Sequence, residues 1–264
     1  MIINILRITY YVIVQLFELQ HEGRNSNMLK LKGVTKKFGE LTAVNNLSFE
    51  VAQGQVFGIA GPNGAGKSTL YNLITGFYKF DGVIEFGGKN ISGLPTHKIA
   101  RLGIARTFQI PHIFESMTVE ETVDLGGRFG NIGKYDPGYS DEMISFTSLE
   151  EERGSKTSVL NLLGKKRLMI AAAMATKPKI LMVDEPMAGL NAYEIKEMTA
   201  LIKKINQDLN ITIIIIEHFM KVLTELANPI LVIENGTQIC IGSPEEITSN
   251  PEVIACYLGD SHDA

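Results

Sequence analysis

The sequence predicts an α/β fold organised around a central, largely parallel sheet, and three features lead to it. Two β-branched runs, Lys179-Ile180-Leu181-Met182-Val183 and Ile211-Thr212-Ile213-Ile214-Ile215-Ile216, are continuously apolar, as strands are when other layers cover both faces. A third run, Gln55-Val56-Phe57-Gly58-Ile59-Ala60, is a buried strand that feeds a glycine-rich turn. From Leu29 onward, strand-like and helix-like segments alternate, the order that builds α/β folds.

The bulk properties bound the possibilities. A chain of 264 residues, 45% hydrophobic and 20% charged, has enough apolar material for one large core or two lobes sharing one. The formal net charge of −4 gives no general attraction to nucleic acid, so no nucleic-acid partner is expected. Cys240 and Cys256 lack metal-ligand spacing and are expected to be buried free thiols, which suits a reducing cytoplasm.

The first twenty residues resemble a membrane signal, but Asn4, Arg7, Gln15 and Glu18 interrupt the apolar run, so no transmembrane span is expected. Residues 1–27 are expected to be a non-native or disordered extension, with Met28 the natural start and a strand-like pattern from Leu29 to Val34. Between about 110 and 165 the composition shifts to glycines, acidic residues and short helical patterns, which predicts a small helical sub-lobe. The main domain is expected to span 28–260, leaving 261–264 as a tail.

The chemistry begins at Gly61-Pro62-Asn63-Gly64-Ala65-Gly66-Lys67-Ser68-Thr69. A strand, then GxxxxGK[ST], then a helix is a specific phosphate-binding signal, that of the P-loop NTPases. The glycines let successive N–H groups turn toward phosphates, and a helix opening at Gly66 adds its positive end. Lys67 would lie between the β- and γ-phosphates of ATP, and Ser68 would offer its hydroxyl to Mg²⁺. Downstream, the apolar run 180–183 delivers Asp184 and Glu185 to the carboxyl edge of the sheet, where ligands bind in such folds. Asp184 would hold Mg²⁺ through its waters, and Glu185 would orient or deprotonate the water that attacks the γ-phosphorus.

The P-loop, then Arg106-Thr107-Phe108-Gln109, then Asp184-Glu185-Pro186, then Glu217-His218 resembles an ABC-transporter ATP-binding subunit over nearly everything from Met28 to Asp260. The resemblance implies a mixed, largely parallel central sheet, with an antiparallel β part near the N-terminus. It implies that Gln109 reaches Mg²⁺ and the attacking water, that His218 contacts the γ-phosphate, and that Phe38 stacks on adenine, worth about 1–3 kcal/mol. Gly189, Leu190 and Asn191 resemble the loop that meets the partner subunit, with Asn191 also suited to start the next helix.

Leu160-Asn161-Leu162-Leu163-Gly164 departs from the family's Leu-Ser-Gly-Gly-Gln signature, located by its distance to Asp184. Asn161 replaces a serine that bonds the partner's nucleotide, and Leu163 replaces a glycine and is expected to set a branched side chain beside the phosphate. Loss of at least one charge-assisted hydrogen bond, about 1–3 kcal/mol, is expected there. The charges of Lys165, Lys166 and Arg167 are expected to form a solvated face. A weak signature beside an intact P-loop predicts a heterodimer with a second ATPase.

The tail from Gly242-Ser243-Pro244-Glu245 to Tyr257-Leu258-Gly259, and the Arg106–Gln109 form of the glutamine loop, resemble the ATPases of branched-chain amino-acid importers. That resemblance implies two transmembrane permease subunits, an external solute-binding protein and a peripheral place on the cytoplasmic face of the membrane. A lipopolysaccharide-export ATPase is the alternative within the family, and a soluble ABC ATPase the alternative outside transport.

Overall fold

Alternation along each central strand explains how the sheet is covered. In the computed structural model, which describes residues 27–130 and 135–258, β7 (Ile180–Asp184) turns Leu181 and Val183 to one face and Ile180 and Met182 to the other. β8 (Thr212–Ile216) does the same with Ile213 and Ile215 against Ile214 and Ile216. The two strands separate two apolar cores, which is why neither shows a polar face in sequence. Most of the extension expected over 1–27, and all of the tail 261–264, lie outside the described residues.

Six strands form this sheet in the order β10-β9-β3-β8-β7-β6. Here β3 is Val56–Ala60, β6 Ile104–Arg106, β9 Ile230–Glu234 and β10 Thr237–Gly242. All pairings are parallel except the β9–β10 hairpin. A second, antiparallel sheet runs β2-β1-β4-β5, with β1 at Asn27–Phe38, β2 at Leu41–Ala52, β4 at Asp81–Phe86 and β5 at Lys89–Asn90. Its inward residues Leu29, Leu31, Val44, Phe49 and Ile84 join Phe57, Ile59 and helix α1 (Lys67–Ile74) in one core.

The other face of the central sheet is covered by helices. α2 (Thr96–Leu102) precedes β6 and packs on the same side as α1; α3 (Val119–Gly130) and α4 (Pro137–Phe146) then pack with α5 (Leu162–Ala175). α6 (Ala192–Leu209) and α7 (Met220–Leu226) complete that layer, and α8 (Pro244–Ser249) and α9 (Pro251–Leu258) follow β10. Asn191 begins α6 as the expected N-cap, in a reciprocal capping box with Glu194. Cys240 and Cys256 are both free thiols, but only Cys256 is buried; Cys240 lies on β10 at the edge of its sheet and is half-buried. Among the described residues, no helix is long and apolar enough to cross a membrane.

Candidate nucleotide site

The loop from Gly61 to Gly66 joins β3 to α1 at the carboxyl edge of the central sheet. Gly66 sits at φ +101° as the N-cap of α1, and a Cβ there would meet the Ala43 carbonyl oxygen at 2.3 Å. Only glycine fits that close approach. The Lys67 ammonium is buried and donates to the carbonyl oxygens of Gly61 (2.6 Å) and Pro62 (2.8 Å).

Asn63, Gly64, Ala65, Gly66, Lys67, Ser68 and Thr69 line a cleft of about 420 Å³. Phe38, Gln109 and Glu185 line it too, together with Leu41, Thr42, Ala43, Asn235 and Gly236. Phe38 is 42% exposed and meets the Tyr78 ring edge-on at 5.2 Å, with the Lys36 ammonium 4.8 Å from its ring centre. Gly61 and Pro62 stand behind the cleft, engaged through their carbonyls. The residues from 41 to 43 and the β9–β10 turn carry no motif. They reach the cleft through the antiparallel sheet and through hydrogen bonds from Gly236 N–H to Ala65 O (2.9 Å) and from Asn45 N–H to Gly236 O (2.8 Å).

Glu185 is the junction of the site. Its backbone takes φ +47°, rare for a residue with a side chain and costly unless its surroundings fix it. Here they do. Its N–H donates to Ile216 O (3.0 Å) and its carbonyl accepts from Lys166 Nζ (3.1 Å). One carboxylate oxygen accepts from Gln109 Nε2 (2.5 Å), and the other lies 2.6 Å from His218 Nε2. Gln109, Glu185 and His218, far apart in sequence, are brought into direct contact.

Asp184 is buried, and one of its oxygens pairs with Arg106 at 2.9 Å. Burial pushes its pKa up, and the Arg106 guanidinium opposes that rise. Arg106 also donates to Asn72 Oδ1 (2.6 Å) and lies over the Tyr71 and Phe108 rings, so it ties Asp184 to α1. Glu217, 1% exposed, accepts from the N–H of Met187 (2.8 Å) and of His218 (3.2 Å). Burial raises its pKa, against the pull of those N–H donors.

Two expectations at the start of α5 are overturned. Leu163 does not face outward: it is 6% exposed and packed in the core, because helix geometry turns that position toward the sheet, and Leu162, 38% exposed, is the branched side chain at the surface. Asn161 is exposed, and its oxygen accepts from Gly164 N–H (2.7 Å) as the N-cap. The basic trio is not a solvated face either. Lys166 is 3% exposed, its pKa lowered by burial against the pull of Glu217 and Glu185, and Arg167 pairs with Glu197 at 3.2 Å. In the loop before α6, Gly189 is exposed at φ +78° while Leu190 is buried.

A family model described as ABC transporter matches residues 44–188, more than half of the chain. The chain belongs to the ABC transporter ATP-binding family. A second model, for branched-chain amino acid ATP-binding cassette transporters, matches residues 237–263. The high-affinity branched-chain amino acid transport ATP-binding protein BraF of Pseudomonas aeruginosa is 39% identical over 251 residues, covering 89% of this chain and 98% of its own. Among solved structures, the ADP conformation of MJ1267, an ATP-binding cassette of an ABC transporter, gives a TM-score of 0.81 at 29% identity, covering 89% of this chain and all of that one. The dimeric structure of MJ0796, a bacterial ABC transporter cassette, gives 0.74 at 26% identity, covering 82% of this chain and 99% of that one. This ABC ATPase is thus a nucleotide-binding P-loop protein.

Proposed function

We propose that this ABC ATPase is the ATP-hydrolysing motor of an importer for branched-chain or related amino acids. The observation that carries the hydrolytic part is the convergence of Gln109 and His218 on the Glu185 carboxylate at 2.5 and 2.6 Å, at the wall of the cleft that holds Lys67 and Ser68. In this reading Phe38 stacks on adenine and residues 61–69 cradle the phosphates. Glu185 takes a proton from water as its oxygen bonds to the γ-phosphorus, and the bond from that phosphorus to the bridging oxygen breaks to release ADP. His218 contacts the γ-phosphate, and Gln109 orients the water.

The Ser68 hydroxyl, the Asp184 carboxylate and the Gln109 amide oxygen are hard donors that suit Mg²⁺. When bound, that ion would neutralise charge developing on the phosphate oxygens.

Relatives named for branched-chain amino acid transport over nearly their full length support the substrate class. An importer of this kind works with two permease subunits and an external solute-binding protein, from the cytoplasmic face of the membrane. The start of α5 supports a heterodimer, because Asn161 uses its oxygen on its own helix and Leu162 stands exposed where the family has glycine. Co-purification from membranes should recover two permease chains and a second ATPase, with ATP hydrolysis that Glu185→Gln lowers about 10²–10⁴-fold. Recovery of export partners, or full hydrolysis by Glu185→Gln, would sink the proposal. Tight ATP-dependent homodimers of the Glu185→Gln chain alone would refute the heterodimer.

A further inference from the structure

The parallel ladder of β3 ends at Ala60, which pairs with Val232. The next N–H, on the buried Gly61, therefore needs an acceptor from outside the sheet. It finds one at the far end of the chain: Gly61 N–H donates to the Tyr257 hydroxyl at 2.7 Å, across 196 positions of sequence. We infer that Tyr257 is a positioning residue for the phosphate loop, so that the C-terminal segment sets how tightly the cleft holds nucleotide.

Three further observations carry it. The Gly61 carbonyl accepts from Lys67 Nζ at 2.6 Å, so the residue held by Tyr257 on one side is held by the phosphate-facing lysine on the other. Gly61 cannot retreat from the tyrosine, since at φ +144° a Cβ there would lie 2.0 Å from the Ile233 carbonyl oxygen, which marks how closely β9 backs the loop. The tyrosine itself is firmly placed. α8 opens with a capping box between Ser243 and Glu246, the Asn250 side chain accepts from Glu252 N–H at 2.8 Å, and Val253 and Cys256 are buried on α9. A displacement of α9 would thus reach Lys67 through one hydroxyl and the backbone of one residue, Gly61. The segment concerned, β10 to α9, falls within the stretch matched by a family model separate from the one that matches the loop.

The inference rests on the cleft being an ATP site, and the test separates the two. The full chain and its Tyr257→Phe variant are titrated with a fluorescent ATP analogue and Mg²⁺, and each is melted without nucleotide. Loss of one acceptor from a buried N–H lowers the nucleotide-free melting temperature of Tyr257→Phe by a few degrees and, if Tyr257 positions the loop, weakens nucleotide binding roughly three- to tenfold as well. Equal affinities would overturn the inference, and a fall in melting temperature with affinity retained would make Tyr257 a packing residue alone. No binding by the wild-type chain would instead remove the ATP-site reading beneath it.

Discussion

In the cleft, polar groups converge on a space: the loop 63–69, Gln109 and Glu185 all line it, and Asp184, Lys166 and Glu217 support it from within the core. At the start of α5 the polar group turns inward, with the Asn161 oxygen on its own helix, and the neighbouring surface is the apolar Leu162. The two regions belong to one chain, yet in one the polar groups face a cleft and in the other they serve mainly their own helix. On the function proposed above, the difference teaches that an ABC ATPase can keep its own receiving half-site while lending a partner a poor one.

Glu185→Gln gives the largest expected effect. It should lower ATP hydrolysis about 10²–10⁴-fold with nucleotide affinity retained, whereas substitutions at Leu162 should leave the affinity of this chain's own cleft unchanged. Phe38→Ala comes next. Loss of about 1–3 kcal/mol of stacking weakens ATP about 5- to 150-fold in a direct titration, and an unaltered affinity would remove Phe38 from the site.

Glu217 sharpens the comparison by pH. Its folded pKa is raised above the unfolded value, so the native state holds the proton more readily than the unfolded chain. Its relative contribution to stability is therefore fully present below the unfolded pKa and lost as pH rises through the folded one. Wild type should lose stability relative to Glu217→Gln across that window, by at most about 1.4 kcal/mol per pH unit. Parallel pH profiles from denaturant titrations would contradict it. The smallest effect belongs to Asn161→Ala, which removes an N-cap worth about 1 kcal/mol and should lower the melting temperature by about 2–4 °C, with no change in this chain's own nucleotide affinity.

The central sheet was legible because its cause is local: runs such as Ile213 to Ile216 announce a strand covered on both faces wherever they occur. The phosphate loop was legible for the same reason. What sequence could not supply were partners across long separations. Arg106 meets Asp184 across 78 positions, Met187 meets Glu217 across 30, and Lys166 meets the Glu185 carbonyl across 19. In each pair both residue types are ordinary, and only the packing of β6, β7, α5 and the loop after β8 makes them neighbours. Leu163 was misplaced for a related reason. A motif fixes a position along the chain, but the rotation of α5 decides which of two adjacent leucines meets solvent.

The contact of the Ala43 carbonyl with Gly66, and the bonds joining Asn45, Gly236 and Ala65, fasten the antiparallel sheet to the phosphate loop. Phe38 rides on that same sheet. On the function proposed above, base platform and phosphate cradle are thus joined through backbone bonds like the jaws of a calliper, and a nucleotide would be gauged by its length before any chemistry begins.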